Sequence, residues 1–262
     1  MILSVAENDG GADAFEGRQI DGRGQFLIPG LWDLHVHAMS DRDDAIGRIL
    51  PLFVAHGVTG VRDMGAVMSG LVATRERLAE DAALVHPEIV AGGPLLDGQA
   101  LPWYGDLPLV LTTPDEVASA LADLAAAGVD FFKVYDGLSP EVYEVIVAEA
   151  ANLDRLVAGH VPRAVGLAGV TSARQHTIEH MTPSTFAACV ADPQSYFDRS
   201  LETRFSGNYD GYFQNLIDWF EEAQDSPACN AAITAMGEAD MRLTATLVME
   251  VFATDSIDRA AL

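Results

Sequence analysis

The sequence predicts an α/β protein in which strands alternate with helices around a parallel sheet or barrel. Short β-rich runs are separated by alanine-rich helical stretches, which is the order of repeated βαβ units. The 262 residues, 49% of them hydrophobic, suffice for one large domain with a buried core. We expect seven strands, at Leu31–His37, Gly57–Met64, Glu88–Gly92, Asp130–Asp136, Leu156–Val161, Thr177–His180 and Leu243–Met249.

Two helices have clear boundary signals. The stretch Thr113–Ala127 begins with an N-cap, a proline and an acidic first turn, and it is followed by Gly128. Pro140–Ala151 follows the same logic. Residues 1–29 hold short Gly- and Asp-rich pieces and are expected to form part of a small β-module, whereas residues 30–262 form the main domain. The long aromatic-rich insert between the sixth and seventh strands either covers the mouth of the site or only packs against the barrel.

Composition excludes several classes of partner. The chain has 39 acidic and 15 basic residues, a net charge of −24, which repels nucleic acid and anionic lipid. No apolar stretch is long enough to span a bilayer, and the start lacks the features of a signal peptide, so we expect a soluble, cytoplasmic protein. Cys189 and Cys229 are forty residues apart without CxxC pairing, which argues against a disulfide scaffold and a cysteine zinc site.

Four histidines lie late in predicted strands. His35 and His37 are two residues apart on the first strand, so their side chains point to the same face. His160 and His180 end the fifth and sixth strands. Because such strand ends line the catalytic face of a barrel, we expect these imidazoles, which suit Zn²⁺ and related metals, to converge. The remaining histidines lie in loop or helix-end contexts and are expected to be non-catalytic: His56, His86 and His176.

Lys133 is the only lysine among the fifteen basic residues. It lies in the fourth predicted strand and shares a face with Phe131 and Tyr135. An ordinary solvated lysine is one interpretation. The other is a functional amine, because arginine cannot replace lysine where a neutral amine is needed.

Five segments together resemble the metal-dependent amidohydrolase superfamily, in its imidazolonepropionase-like and prolidase-like branch. They are LIPGLWDLHVH at 27–37, GVTGVRDMG at 57–65, FKVYDGLS at 132–139, GHVP at 159–162 and IEHM at 178–181. The resemblance implies a TIM-like (β/α)8 barrel. It also implies that residues 2–5 and 22–25 are the last strands of the small N-terminal β-module of that family.

The same resemblance implies a binuclear metal site. His35 and His37 would bind one metal and His160 and His180 a second, with Lys133 bridging them as a carbamate made with CO₂. Two Zn²⁺ ions would then lower the pKa of a shared water and polarise a carbonyl, so that hydroxide attacks the amide bond of a small-molecule amide or dipeptide substrate. Asp33 would orient a ligand or be structural, Tyr135 would touch substrate, and Arg62 and Asp63 would form a structural ion pair near the barrel mouth.

The sequence departs from the family pattern at one position that matters for catalysis. The family has a proton-transferring aspartate at the end of strand eight, whereas this sequence reaches Leu262 after its seventh strand, and Asp255 follows that strand too closely to match. We therefore expect an incomplete barrel without strand eight, whose open edges favour a homo-oligomer. Two alternatives remain: a catalytically impaired metal-binding fragment, and an aldolase-like barrel in which Lys133 forms a Schiff base and the histidines have no role.

Overall fold

The computed structural model describes residues 5, 17–39, 45–100, 104–224 and 226–246. The chain divides into two compact units, Met1–Gly30 and Leu31–Leu262. In the described part of the first unit the Gln25 N–H donates to the Gly22 carbonyl at 2.9 Å, and Gly24 has the positive φ that glycine adopts at no steric cost. Residues 22–25 therefore form a turn, and the prediction of a strand there is wrong.

The second unit contains nine strands among the described residues, and every pairing between them is parallel. They form a three-stranded sheet in the order β1-β2-β3 and a six-stranded sheet in the order β5-β4-β6-β7-β8-β9. All seven predicted strands are present, and within the described residues each is shorter than predicted. The strands are β1 Leu31–Val36, β2 Val58–Asp63, β3 Glu88–Ala91, β4 Leu95–Asp97, β5 Pro108–Val110, β6 Phe131–Val134, β7 Leu156–Gly159, β8 Thr177–Glu179 and β9 Arg242–Thr244.

The two sheets meet where the chain bends between β3 and β4. Strands β3 and β4 are separated by Gly92, Gly93 and Pro94, and Gly93 has a φ of 66°. On one side of the bend β3 pairs with β2, and on the other side β4 pairs with β6. The Asp130 N–H donates to the Ala91 carbonyl at 2.9 Å, so hydrogen bonding continues across the bend into the start of β6. The parallel strands thus form one curved array.

The helices follow the strands, as the alternating pattern predicts. The two helices with clear boundary signals are confirmed: Thr113 and Glu116 form a capping box at the start of α3, and the Ser139 hydroxyl accepts the Val142 N–H at the start of α4. Short π-helical and 3₁₀ turns occupy Ala45–Ile49 and Ala187–Cys189. The helices are α1 Leu50–Ala55, α2 Met68–Glu80, α3 Pro114–Ala126, α4 Pro140–Asn152, α5 Gly166–Ser172, α6 Pro183–Phe186, α7 Pro193–Phe205, α8 Tyr209–Ala223 and α9 Pro227–Glu238.

The main core lies between the strands and the helices, and strand β6 shows how the two faces divide. Phe132 and Val134 pack with residues of α3 and α4 in that core. Phe131, on the other face of β6, packs instead with Met64 and Ala158 in a small interior cluster. Alternation of side chains along the strand therefore turns Phe131 and Lys133 away from the helices.

The array is not closed in the described part of the chain. There, β1 pairs only with β2 and β9 only with β8. The architecture is α/β with parallel sheets, consistent with a partial TIM-like barrel, and the missing strand eight stays a prediction. No helix in the described residues is long and apolar enough to cross a membrane.

The insert between β8 and β9 is helical and carries a disulfide. Cys189 and Cys229 are bonded to each other, with 4.3 Å between their Cα atoms, so the prediction of no disulfide is wrong. The two cysteines, Tyr196 and Trp219 belong to a small core separate from the main one. Spacing alone could not reveal this pair, because helices α7 and α8 fill the forty residues between the cysteines and return the chain to its starting point.

Candidate active site

The four histidines that the sequence singles out come together inside the curved array. The ring of His35 lies 5.4 Å from that of His37 and 4.4 Å from that of His180, measured between centroids. The rings of His160 and His180 are 5.2 Å apart. Each residue lies at or just beyond the end of a parallel strand, as the prediction required.

Each of the four imidazoles has a hydrogen-bond partner at Nδ1. Such a bond fixes the tautomer and leaves Nε2 free for a ligand. The Nε2 atoms of His35 and His160 are buried and have no hydrogen-bond partner in the described structure. The Nδ1 partners are Glu179 Oε2 at 2.8 Å for His35, the Gly65 carbonyl at 3.0 Å for His37, Asp136 Oδ1 at 2.9 Å for His160 and Thr246 Oγ1 at 2.5 Å for His180.

The electrostatics of the site favour the neutral form of His35, His37 and His180. Burial lowers the pKa of His35 to about 4 and that of His180 to about 2, and it also lowers the pKa of His37. A neutral imidazole has the free lone pair that a metal ion requires. These side chains therefore have the protonation state of ligands at neutral pH.

Lys133 is buried within the same interior. It is 1% exposed, and its register places it between Leu95 of β4 and Ala158 of β7. Burial lowers the pKa of its amine to about 8. The positive charge of Lys133 in turn contributes to the lowered pKa values of His35, His37 and His180. The interpretation of Lys133 as an ordinary solvated lysine is therefore wrong.

The donor chemistry of the cluster fits a divalent metal, but the ligand atoms are not gathered into a closed site. Among the described residues, no group of three or more His, Cys, Asp or Glu side chains could hold a metal ion as it stands. What fits is the chemistry: imidazoles with Nδ1 engaged, two buried Nε2 atoms without a hydrogen-bond partner, and a buried amine.

Backbone geometry at His180 explains how two consecutive residues face the interior. In a regular strand Glu179 and His180 would point to opposite sides. His180 instead has a φ of 65°, in the left-handed region, and its N–H donates to the Thr244 carbonyl at 2.9 Å. As a result, Glu179 and His180 both contact His35.

The His160 position depends on a glycine and a buried amide. Gly159 has a φ of 132°, and a Cβ there would collide with the Val134 carbonyl, so only glycine lets β7 approach β6 so closely. The Gln175 side chain donates to the carbonyls of both Gly159 and His160, at 3.1 and 3.2 Å. The Tyr135 ring stacks on His160 with 4.1 Å between centroids, so Tyr135 contacts the histidine cluster directly.

The expected pairing of Arg62 with Asp63 is wrong. Arg62 instead forms an ion pair with Glu179, at 2.6 Å. Asp63 accepts the N–H groups of Ala38, Met39 and Gly65 and so holds the loop after β1. Asp33 accepts the His35 N–H, which is a local structural role.

The sequence reasoning missed three partners of the histidines: Glu179, Asp136 and Thr246. A signal was available for Glu179, since a carboxylate inside a short apolar strand is seldom buried without a partner. His56 and His86 bond to nearby carbonyls away from this cluster. Asp255 and the end of the seventh predicted strand lie outside the described residues.

Several solved structures have a fold similar to that of this chain. A prolidase-like structure from Bifidobacterium longum shares 21% identity and a TM-score of 0.55, with 78% of this chain and 57% of that chain covered. A Xaa-Pro dipeptidase with bound methionine shares 19% identity and a TM-score of 0.52, with 82% of this chain and 64% of that chain covered. Molinate hydrolase shares 17% identity and a TM-score of 0.56, with 93% of this chain and 64% of that chain covered. No family model and no curated protein matches the sequence.

The chain has the amidohydrolase and prolidase fold. This confirms, at the level of fold, the resemblance seen in the five sequence segments. The chain spans 57–64% of the length of the three structures named above.

Proposed function

We propose that this chain carries the metal site of a hydrolase that cleaves amide-type C–N bonds in small molecules, including dipeptides. The observation that carries the proposal is the convergence of four imidazoles and one buried lysine at the ends of parallel strands. The fold shared with prolidase, dipeptidase and hydrolase structures supports the reaction class.

Each residue of the cluster has an assigned role in this proposal. His35 and His37 would hold one divalent cation and His160 and His180 a second, with zinc as the expected metal. CO₂ can add to the neutral amine of Lys133 with release of a proton, and the resulting carbamate would supply anionic oxygen ligands to these cations. When bound, such cations lower the pKa of water and polarise a carbonyl. Tyr135, stacked on His160, forms part of the wall against which a substrate lies.

A second candidate is a metal-binding protein that turns over little or no substrate. Such a protein would lack the proton-transferring aspartate that the family pattern has at the end of strand eight. General acid–base catalysis is typically worth about 10²–10⁴-fold in rate, so a chain without it would bind metal normally and hydrolyse slowly.

Metal content and turnover, measured together, test the proposal. We expect protein purified with zinc and bicarbonate to hold about two zinc ions by elemental analysis and to hydrolyse dipeptides or simple amides. The double variant His35→Ala/His37→Ala should lose one of these metals. The second candidate predicts the same metal content without turnover. Metal-free wild-type protein in zinc-containing buffer would contradict both.

Borohydride trapping distinguishes the aldolase-like alternative. If Lys133 forms a Schiff base, water leaves as the imine forms and borohydride then adds two hydrogens, so the peptide containing Lys133 gains the mass of the carbonyl compound less one oxygen atom. We expect no such adduct on the zinc-loaded protein.

A further inference from the structure

Glu179 lies at the centre of a hydrogen-bond network beneath the histidines. Its carboxylate is fully buried and accepts from three side chains. His35 Nδ1 donates to Oε2 at 2.8 Å, whereas Arg62 Nη2 and Thr177 Oγ1 donate to Oε1, each at 2.6 Å. Oε2 therefore bonds to His35, whereas Oε1 bonds to Arg62 and Thr177.

Arg62 connects both ends of the strand array. From β2, its Nε donates to the Leu34 carbonyl of β1 at 2.7 Å. Its Nη1 donates to Thr177 of β8, and its Nη2 reaches Thr244 of β9 as well as Glu179, at 3.1 Å for each threonine. Among the described strands, β1 pairs only with β2 and β9 only with β8, and this guanidinium, bonded to both β1 and β9, holds Glu179 at a fixed place relative to His35.

We propose that Glu179, held by Arg62 and Thr177, is a positioning residue that fixes the tautomer and the ring orientation of His35. A carboxylate can only accept a hydrogen bond, so its contact with Nδ1 requires the proton of a neutral imidazole to sit on Nδ1. The lone pair then lies on Nε2, the atom that is buried without a hydrogen-bond partner. The inference rests on the proposed function in treating Nε2 as a metal ligand.

The Nδ1 partner of His35 differs from the Nδ1 partners of the other three histidines in its charge and its burial. His37 and His180 bond to a carbonyl and a hydroxyl, and the carboxylate that His160 meets is 27% exposed. Only His35 pairs with a fully buried carboxylate that is itself held by an arginine. We therefore expect His35 to be the ligand most sensitive to loss of its partner.

Glu179→Gln is the sharpest test, because the amide has one acceptor and one donor where the carboxylate has two acceptors. If the amide nitrogen faces His35, it donates to Nδ1 and moves the ring proton to Nε2. If it faces Arg62, two donors oppose each other. Glu116→Gln is the matched control, since Glu116 accepts backbone N–H groups at the exposed start of α3, away from the histidines.

The readouts are zinc affinity, by competition with a chromophoric chelator, and the His35 tautomer, by ¹⁵N NMR of the metal-free protein. We expect Nδ1–H in the wild type, and in Glu179→Gln a shift towards Nε2–H with a loss of zinc affinity of about 10–100-fold. The control should match the wild type in both. A folded Glu179→Gln protein with wild-type tautomer and affinity would overturn the proposal.

Two further outcomes separate this inference from the proposed function. If Glu179→Gln does not fold, the tautomer of the wild type decides, since Nε2–H at His35 contradicts the positioning role in any case. If the wild type shows Nδ1–H but binds no zinc, the proposed metal function fails, while the orientation of His35 by Glu179 stands.

Discussion

The strand array and the helical insert are held together by different means. In the array, charged and polar side chains cross the interior: Arg62 pairs with Glu179, and Glu179 with His35. In the insert, a small core around Tyr196 and Trp219 is closed by a disulfide. The array is organised around a site that needs fixed geometry, whereas the core of the insert, among the described residues, is a small cluster that includes both cysteines of the disulfide.

This difference implies that the strand array and the helical insert unfold separately. Within the described part of the insert, the residues in or against the main core come from α9 and the short segment after it, among them Ala232, Met236 and Met241. Helices α7 and α8 are enclosed between the two cysteines. Loosening the insert should therefore leave the histidine cluster intact, and disturbing the strand ends should affect the site while the disulfide persists.

The largest expected effect is that of removing the disulfide. The double variant Cys189→Ser/Cys229→Ser should lower the free energy of unfolding of the insert by about 4 kcal/mol, the chain-entropy value for a loop of this length. Limited proteolysis should then cut within α7 or α8 first. Zinc content should stay at the wild-type level. Loss of zinc together with the insert would show that the two regions are not independent.

A smaller effect is expected from Gly159→Ala. The backbone φ of 132° and the nearby Val134 carbonyl should cost about 3 kcal/mol of stability, and the displaced His160 should weaken zinc binding. Gly237→Ala in α9 is the control, because a Cβ there meets no atom within 4 Å. Thermal unfolding measures both variants. Equal melting temperatures would argue against the close approach of β6 and β7.

The smallest expected effect is at the cap of α3. Thr113→Ala removes one half of the capping box and should cost about 1 kcal/mol in chemical denaturation. Zinc affinity and proteolysis of the insert should be unchanged, since α3 contacts neither the histidines nor the disulfide. A change in zinc affinity would mean that global stability, rather than local geometry, governs the site.

The sequence predicts most of the array because its signals are local. Alternation and helix boundary residues locate the seven strands and helices α3 and α4, and strand ends locate the histidines and Lys133. Strands β4 and β5 escape prediction because turn-forming residues precede or begin them: Gly92, Gly93 and Pro94 separate β4 from β3, and β5 begins with Pro108.

The contacts that orient the site are harder to predict because they join residues far apart in sequence. Glu179 is 144 residues from His35 and 117 from Arg62. One error was avoidable, since adjacent residues of a strand such as Arg62 and Asp63 point to opposite faces and so cannot readily pair. The disulfide has no comparable signal, because it depends on how α7 and α8 fold back.

The most direct test of the central claim is anomalous diffraction at the zinc edge from crystals grown with zinc and bicarbonate. The account predicts two anomalous peaks among His35, His37, His160 and His180, with electron density extending three atoms beyond Lys133 Nζ between them. Lys133→Arg should retain only one peak. Lys133 density that ends at the amine, with no anomalous peak beside the four histidines, would contradict the account.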